Sequence, residues 1–521
     1  MKIRLSRILC SSFLFCLLVI PWMVVLPVEA APREDTKATP DFAQIDAYVH
    51  AQVQDARIPG LALGIISGDQ VAHLQGFGEA DSTGRAVTPQ TPFLLGSTTK
   101  SFTALAIMQL VEAGKITLDV PVQRYLPWFR VADPVASGHI TVRHLLTQVS
   151  GISTAVGLRL FTDDPTETPE QYVHALSTVS LTKPVGTTFQ YSNANYAILG
   201  LVVQVVSGVP YQTYIQQHIL TPLQMQQSFV SQEQARRAGL AQGHRSWFGF
   251  PVPIDLPLHK SAFAAGYLMS SAEDMSHFLI AQSNGGRYNG ISILSPQGID
   301  TMHTPTPGFS YAMGWSTVSQ NGERVLYHNG DTLDSHSEMF IAPAHHWGII
   351  LLLNEGDGIG YALSFTSNRM AIGQQILRLL EGQRLAPAGW RTNTYYLLID
   401  SVMALIFVLV VASLLRLPYW SKRFEPRSRH RLIRVSFRLL GELLLPTLIL
   451  LGLPVRGGYS WSFILRAVPD LGWWILVTMS LSLITGMLRG GLVLRAQSAA
   501  CPDASTSAPN LFEHGLPVVA R

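Results

Sequence analysis

Residues 96–114 have the sequence GSTTKSFTALAIMQLVEAG, and this stretch decides which fold the chain is expected to adopt. Apolar residues recur at helical spacing after Lys100, and Gly114 is of the type that commonly ends a helix, so the sequence predicts a helix from Ser97 to Ala113. Residues three positions apart lie on one face of a helix, about one turn from each other. The Ser97 hydroxyl and the Lys100 amine are therefore expected to converge.

A serine hydroxyl is a poor nucleophile until a neighbouring base accepts its proton. A lysine amine is such a base only where burial or nearby positive charge destabilises the ammonium form. A serine at the start of a helix also points its backbone N–H toward a developing oxyanion. The S-x-x-K pattern of Ser97 and Lys100 also fits a capped helix with a surface lysine, so the assignment depends on companion motifs.

The second motif is Tyr191-Ser192-Asn193, which stands just before a predicted helix from Ala194 to Ser207. A tyrosine hydroxyl near a lysine can pass a proton between a nucleophile and a leaving group. The amide of Asn193 can orient a substrate carbonyl. A buried tyrosine followed by a helix-capping asparagine is the alternative interpretation.

The third motif is His328-Asn329-Gly330-Asp331, at the end of a predicted strand. Gly330 allows that strand to approach a ligand closely, and the N–H of Asp331 is then the candidate second oxyanion donor. His328 is a candidate partner for the substrate or for the tyrosine–lysine pair. An ordinary polar residue at a strand end is the alternative.

The order S-x-x-K, Y-x-N and H-x-G resembles the serine hydrolases related to class C β-lactamases and penicillin-binding carboxypeptidases. The resemblance covers about residues 42–380. It includes the stretches Leu110–Asp119, Ile140–Thr147 with Ser150-Gly151, Ala264–Met275 and Met313-Gly314-Trp315.

This resemblance implies an α+β, two-lobed fold of the β-lactamase/transpeptidase type, in which an antiparallel sheet flanked by helices adjoins a helical lobe. It implies that Ser97 is acylated, that Lys100 and Tyr191 manage its proton, and that Asn193 positions the substrate. His328, Asn329, Gly330 and Asp331 would complete the substrate and oxyanion site.

Four positions depart from the usual family pattern. His328 stands where dedicated β-lactamases carry the lysine of K-T-G, which argues against efficient β-lactam hydrolysis and is commoner among esterase and peptidase relatives. Gln148 and Val149 replace a frequent His-Thr pair, and Asp331 replaces a small residue. The changes at Gln148, Val149 and Asp331 remove no catalytic group.

Charge and cysteine content exclude several other functions. The chain has 521 residues, and residues 31–390 contain 20 Lys/Arg and 27 Asp/Glu, so this acidic segment would repel nucleic acid. Cys10, Cys16 and Cys501 are the three cysteines, which leaves residues 17–500 without a thiol nucleophile or a disulfide framework. No H-E-x-x-H motif occurs, so we expect neither a metal nor a cofactor.

Apolar runs at both ends of the chain indicate a membrane protein. Residues 1–30 resemble a signal peptide or an uncleaved anchor, with basic residues before an apolar run. The hydrolase domain is assigned to residues 32–382 and a linker to 383–394. Three runs at 395–415, 435–455 and 471–488 form a membrane segment over 395–490, and 491–521 is a cytoplasmic tail.

The basic residues predict the orientation of these spans. The connection Arg416–Arg434 contains seven Lys/Arg and one acidic residue, whereas Arg456–Asp470 contains two Lys/Arg. Because cytoplasmic loops carry excess positive charge, the hydrolase domain is expected outside the cytoplasm of a multi-pass membrane protein. Arg438 and Glu442 are spaced to pair on one helix face.

The predicted function is hydrolysis of an ester or amide through a Ser97 acyl-enzyme. The substrate is a small molecule or a peptide with an acyl carbonyl: a cell-wall peptide, a D-amino-acid peptide or a small ester. The alternative is a penicillin-binding sensor or binding module that is acylated without turnover. The sequence leaves the choice of substrate and the oligomeric state open.

Overall fold

A computed structural model of the protein describes residues 40–161, 164–320, 322–356, 371–385, 392–422, 424, 429–457 and 460–500. The predicted signal peptide or anchor at residues 1–30 lies outside the described residues, as does the tail beyond residue 500.

The described part of the chain alternates helices with short strands. The α-helices are α1 (Phe42–Asp55), α2 (Thr99–Glu112), α3 (Pro134–Ser137), α4 (Val142–Leu146), α5 (Thr154–Leu158), α6 (Pro169–Ala175), α7 (Asn193–Ser207), α8 (Tyr211–Ile215), α9 (Gln232–Arg237), α10 (Phe263–Gly266), α11 (Ala272–Ser283), α12 (Pro296–His303), α13 (Ile372–Leu380), α14 (Thr392–Leu415), α15 (Leu417–Lys422), α16 (Arg429–Leu439), α17 (Leu445–Gly457), α18 (Trp461–Ala467) and α19 (Pro469–Ala500). The strands are β1 (Gly60–Ser67), β2 (Gln70–Gly78), β3 (Phe93–Leu94), β4 (His244–Trp247), β5 (Phe250–Pro253), β6 (Met269–Ser270), β7 (Arg287–Tyr288), β8 (Ile291–Ser292), β9 (Ser316–Gln320), β10 (Glu323–Asp331), β11 (His336–Ala342), β12 (Trp347–Leu353) and β13 (Glu355–Gly356).

Six strands form the main sheet in the order β2-β1-β12-β11-β10-β9, with every neighbouring pair antiparallel. The central strands β1, β11 and β12 are buried almost throughout, because helices cover both faces of the sheet. One face packs against α1 and α13, and the other packs against α11 and the helical lobe. The predicted α+β fold, with an antiparallel sheet beside a helical lobe, is confirmed.

Helix α2 lies at the centre of the hydrolase domain. Every residue from Thr99 to Met108 is buried, as expected for a helix that is surrounded by protein rather than laid on a surface. The sequence predicts an α-helix from Ser97, whereas the structure forms a 3₁₀ turn over Gly96–Thr98 and begins the α-helix at Thr99. The tighter first turn carries the predicted nucleophile.

Three helical segments near the C-terminus are long and apolar enough to cross a membrane: Thr394–Leu415, Leu432–Pro454 and Pro469–Ser498. The third helix extends past the predicted limit of residue 488 to Ala500, even though it contains Gly490 and Gly491, and no proline interrupts it over this range. The second segment contains a π-helical turn at Leu440–Leu444.

A polar cluster joins these three segments near one end. The expected pair of Arg438 and Glu442 is present, with Arg438 Nε 3.1 Å from Glu442 Oε1. Arg489 forms an ion pair with the same carboxylate. Both arginines also donate hydrogen bonds to Ser413 Oγ, at 2.9 and 3.0 Å. The cluster therefore contains a residue from each of the three segments.

Candidate active site

The 3₁₀ turn presents Ser97 at the edge of the main sheet. Gly96 has φ +58°, and a Cβ atom placed there would lie 2.7 Å from the carbonyl carbon of Gly330 and 2.8 Å from the nitrogen of Asp331. Glycine is needed at residue 96 because it adopts a left-handed φ without strain and leaves room for strand β10. Ser337 Oγ donates a hydrogen bond to the Leu95 carbonyl at 2.6 Å, which ties the turn to β11.

Lys100 lies beneath Ser97 with no exposed side-chain surface. Its Nζ is 2.8 Å from Ser97 Oγ and donates a hydrogen bond to the Ala265 carbonyl at 2.6 Å. Burial lowers the pKa of the Lys100 amine well below its usual value, since the charged form loses its hydration. The structure therefore brings the predicted nucleophile into direct contact with an amine whose neutral form is favoured.

Tyr191 and Asn193 stand on the other side of Lys100. Nζ of Lys100 lies 5.1 Å from the centre of the Tyr191 ring, and Tyr191 is half-buried. Asn193 is the first residue of α7, and its buried Oδ1 has no hydrogen-bond partner among the described residues. An amide oxygen without a partner inside the cleft is available to a substrate donor.

The end of β10 lies alongside Gly96 and Ser97. Thr332 N–H donates to the Ser335 carbonyl at 3.0 Å, which makes this pair a hydrogen-bonded pair of the hairpin between β10 and β11. Pairs alternate in an antiparallel ladder, so the next pair, Asp331 with His336, is a non-bonded one. The N–H of Asp331 therefore points away from β11, on the side where Gly96 approaches.

His328 lies in the same strand but does not contact Ser97 or Lys100. Its Nε2 is 3.0 Å from the hydroxyl of Tyr311, and its Nδ1 is 2.6 Å from the Asn329 carbonyl. Burial lowers the pKa of His328 to about 3. The imidazole is therefore neutral in the physiological range and brings no positive charge to the cleft.

Asn329 and Asp331 point to the opposite face of the sheet, where a buried charged cluster holds them. Asn329 Nδ2 donates to one carboxylate oxygen of Asp331 at 2.6 Å, and His336 Nδ1 lies 2.7 Å from the other. Burial acts to lower the pKa of His336, but the carboxylates of Asp331 and Glu338 raise it to about 10. Protonated His336 therefore holds Asp331 in place beneath the cleft.

Sequence reasoning missed Gln148 as a residue that supports the site. Gln148 is fully buried with φ +62°, and its Oε1 accepts hydrogen bonds from Ser192 N–H at 3.0 Å and from the Asn195 amide at 2.5 Å. Its backbone carbonyl accepts from Gln190 N–H at 2.8 Å. Gln148 thus supports the turn that carries Tyr191, and its departure from the family pattern was the one signal in the sequence.

Tyr311 was also missed. Its ring packs edge-on against Tyr191 at 6.0 Å between centroids, and burial raises its pKa well above the ordinary tyrosine value. Tyr311 therefore remains a neutral phenol that fills the space between His328 and Tyr191. It follows the loop 304–310, which contains two prolines, one glycine and no catalytic motif, so no local pattern identifies it.

Within the part of the chain that the structure describes, no three His, Cys, Asp or Glu side chains are grouped as metal ligands.

Known proteins are similar to this chain in sequence and in fold. The chain is 27% identical to Protein flp of Staphylococcus aureus strain MW2 over 455 residues, which cover 85% of this chain and 88% of that protein. It is 28% identical to Penicillin-binding protein 4 of Amycolatopsis lactamdurans over 358 residues, 66% of this chain and 92% of the relative.

A solved structure described as the octameric penicillin-binding protein homologue from Pyrococcus abyssi superimposes with a TM-score of 0.57. It is 29% identical and matches 66% of this chain and 78% of its own. The sequence profile of the Beta-lactamase family matches residues 45–366, a range that contains all three motifs. By sequence and by fold, the chain belongs to the Beta-lactamase family.

Proposed function

We propose that the protein is a membrane-anchored serine hydrolase that cleaves an ester or amide outside the cytoplasm through a Ser97 acyl-enzyme. The observation that carries this proposal is the 2.8 Å contact of Ser97 Oγ with the buried amine of Lys100. Family membership supports the serine hydrolase class, since the Beta-lactamase profile covers the whole site.

In the first step, Ser97 Oγ forms a bond to the substrate carbonyl carbon while its proton passes to neutral Lys100. The N–H groups of Ser97 and Asp331 bind the oxyanion, and one such donor is worth about 2.7–4 kcal/mol. The intermediate then collapses with loss of the leaving group, which takes the proton from Lys100 by way of Tyr191. General acid–base catalysis of this kind contributes roughly 10²–10⁴-fold.

In the second step, water attacks the acyl-enzyme. One proton of this water passes by way of Tyr191 to Lys100, and its transfer to Ser97 Oγ as the acyl bond breaks releases the carboxylic acid and restores the free enzyme. Asn193 binds the acyl part of the substrate through its unpaired amide oxygen. Each proton thus stays within the group of Ser97, Lys100, Tyr191 and the substrate.

The charge of the cleft favours a neutral ester over a substrate that carries a carboxylate. β-Lactams and peptides with a free C-terminus carry a carboxylate, and a cation at the position of His328 would bind it. His328 is neutral because burial lowers its pKa to about 3. We therefore expect short-chain esters to be cleaved faster than D-amino-acid peptides with a free carboxylate, and a chromogenic cephalosporin most slowly.

Labelling with a fluorescent fluorophosphonate tests the nucleophile. Ser97→Ala is expected to abolish labelling of the full-length protein. Ser101→Ala is the matched control, because Ser101 lies about one turn further along, in α2, and its hydroxyl donates a hydrogen bond to the Thr98 carbonyl. Persistent labelling of Ser97→Ala at another residue contradicts the assignment.

Steady-state ester hydrolysis separates an enzyme from a sensor. A hydrolase releases many equivalents of alcohol for each protein molecule. A penicillin-binding sensor releases a stoichiometric burst and then stops. A stoichiometric burst without further turnover would show that the protein is a penicillin-binding sensor and not a hydrolase.

The membrane anchorage rests on the three candidate spans and on the basic connection between the first two. Lys422→Cys in that connection should react with a membrane-impermeant thiol reagent only after the cells are broken. Val135→Cys, exposed in the hydrolase domain, should react in intact spheroplasts. The reverse pattern contradicts the orientation.

A further inference from the structure

The hairpin β4–β5 exposes an unusual amount of apolar surface. Its register pairs Trp247 with Phe250 and Arg245 with Val252, so Trp247, Phe250 and Val252 lie on one face. These three side chains are 39%, 58% and 44% exposed. A soluble domain rarely presents adjoining aromatic and aliphatic side chains to water without a partner for them.

The turn of the hairpin has an aromatic residue where a small polar one is usual. Phe248 and Gly249 have φ +52° and +73°, the backbone of a two-residue turn with both central residues left-handed. Asn-Gly or Asp-Gly pairs are preferred in this turn, and a bulky residue with positive φ is uncommon. Phe248 therefore places a ring at the tip in a backbone conformation that favours asparagine.

The tip of the hairpin lies against the ends of two candidate spans. Phe248 N–H donates to Asp470 Oδ2 at 2.9 Å, and Asp470 is in the first turn of α19. Gly249 adjoins the ring of Tyr396, near the start of α14, so closely that a Cβ atom at residue 249 would lie 2.9 Å from Tyr396 Cγ. The exposed face of the hairpin is therefore at the level where both helices would enter the membrane.

Other aromatic residues cluster at the same level. Tyr396 is buried in a small apolar group with Ile464 and Val468, against which Trp461 packs. Trp473, one turn into α19, is half exposed. Trp and Tyr are enriched where a bilayer meets water, because their rings are apolar and their N–H or O–H groups are polar.

The hairpin is also attached firmly to the hydrolase domain. β4 pairs in parallel with β13, and His244 N–H donates to the Asn354 carbonyl at 2.8 Å. Arg57 Nη1 donates to the Gly249 carbonyl at 3.1 Å, and the Arg57 guanidinium lies 4.3 Å above the centre of the Phe250 ring. The hairpin is therefore bonded to the segments that adjoin β12 and β1 of the main sheet.

We propose that the hairpin tip, defined by Trp247, Phe248, Phe250 and Val252, inserts into the outer leaflet of the membrane that the three helical segments cross. The phospholipid interface is the partner that fits this surface, because the hairpin lies at the same level as the aromatic residues near the start of α14 and α19. The inference rests on the proposed membrane anchorage. It adds a second attachment that fixes the orientation of the hydrolase domain above the lipid.

Spin-label accessibility in lipid nanodiscs tests this proposal. The full-length protein with Cys10, Cys16 and Cys501 changed to serine receives one nitroxide at Phe250→Cys. For each label, the measured quantity is the ratio of its collision rate with oxygen, which concentrates in lipid, to its collision rate with a water-soluble nickel chelate. This ratio is expected to be severalfold higher for the label at Phe250→Cys than for a label at Val135→Cys. Val135 is the control because it is an exposed apolar residue of the hydrolase domain that lies in helix α3 and not in the hairpin.

A label at Val408→Cys, on the exposed face of the first span, separates the two proposals. If collisions with oxygen dominate at Val408 but collisions with nickel dominate at Phe250, the span lies in lipid and the hairpin does not. This result overturns the hairpin insertion alone. Nickel-dominated collisions at both positions overturn the membrane anchorage as well. Each labelled protein is checked for fluorophosphonate reaction at Ser97, and Val252→Cys, on the same face, replaces Phe250→Cys if that variant does not fold.

Discussion

Replacing Gly96 by alanine should move the two proposed oxyanion donors, the N–H groups of Ser97 and Asp331, further apart. The substitution leaves every catalytic side chain in place. The added Cβ would lie 2.7 Å from the carbonyl carbon of Gly330 and 2.8 Å from the nitrogen of Asp331. Carbon atoms pack best about 3.5–4.0 Å apart, so strand β10 must retreat by roughly 1 Å. The neighbour is backbone, so no side chain can rotate away to relieve the contact.

The retreat determines the size of the effect. Oxyanion donors act at about 2.7–3.1 Å from the oxygen, and a 1 Å displacement takes the N–H of Asp331 out of that range. Loss of one donor lowers kcat by about 10²–10³. Alanine with a left-handed φ costs a further 1–2 kcal/mol or so in stability.

Gly114→Ala is the matched control. Gly114 ends the same helical region with φ +69° and has no atom within 4 Å of the position its Cβ would take. It should therefore lower the melting temperature about as much as the backbone cost of Gly96→Ala and leave the acylation rate unchanged.

The assay is the single-turnover rate at which a fluorophosphonate phosphonylates Ser97, which serves as the measure of the acylation step and is recorded together with thermal unfolding. Gly96→Ala is expected to acylate at least about 100-fold more slowly than the parent. Acylation of Gly96→Ala at the parent rate would refute the oxyanion geometry. Equal slowing by Gly114→Ala would show that the loss comes from backbone strain alone.

Three further predictions concern buried groups of the site. Lys100→Met should abolish acylation yet raise the melting temperature, because the buried amine with a lowered pKa destabilises the fold below its unfolded pKa; an unchanged or lower melting temperature argues against that cost. In the parent, acylation should rise with pH as Lys100 loses its proton, and a flat pH–rate profile speaks against its role as base. His336 has a pKa of about 10, so its contribution is complete below pH 6.5 and is lost as pH rises through 10, on the order of 1.4 kcal/mol for each pKa unit. Denaturant titrations should show that the parent loses more stability than His336→Gln between pH 7 and 10, and parallel curves would contradict the charged cluster.

The sequence alone predicted the parts of this protein that depend on local spacing. Ser97 and Lys100 are one helical turn apart, so their contact follows from the helix itself, even though its first turn proved to be 3₁₀. Strand Trp347–Leu353 and helix Asn193–Ser207 follow from an apolar run and from Gly208, which adopts the left-handed conformation at the helix end. The three apolar segments near the C-terminus follow from length and composition.

The burial of the site residues and the contacts between residues far apart in the chain became visible only in the tertiary structure. Local propensity cannot show that Lys100 is completely buried, that His328 faces Tyr311 or that Gln148 supports the turn of Tyr191, because each contact joins elements that meet only after the sheet and the helical lobe have packed. The hairpin of Phe248 lies against Asp470, 222 positions away. Spacing along the chain fixes neighbours within one turn or strand, whereas burial and charge environment depend on how the whole chain packs.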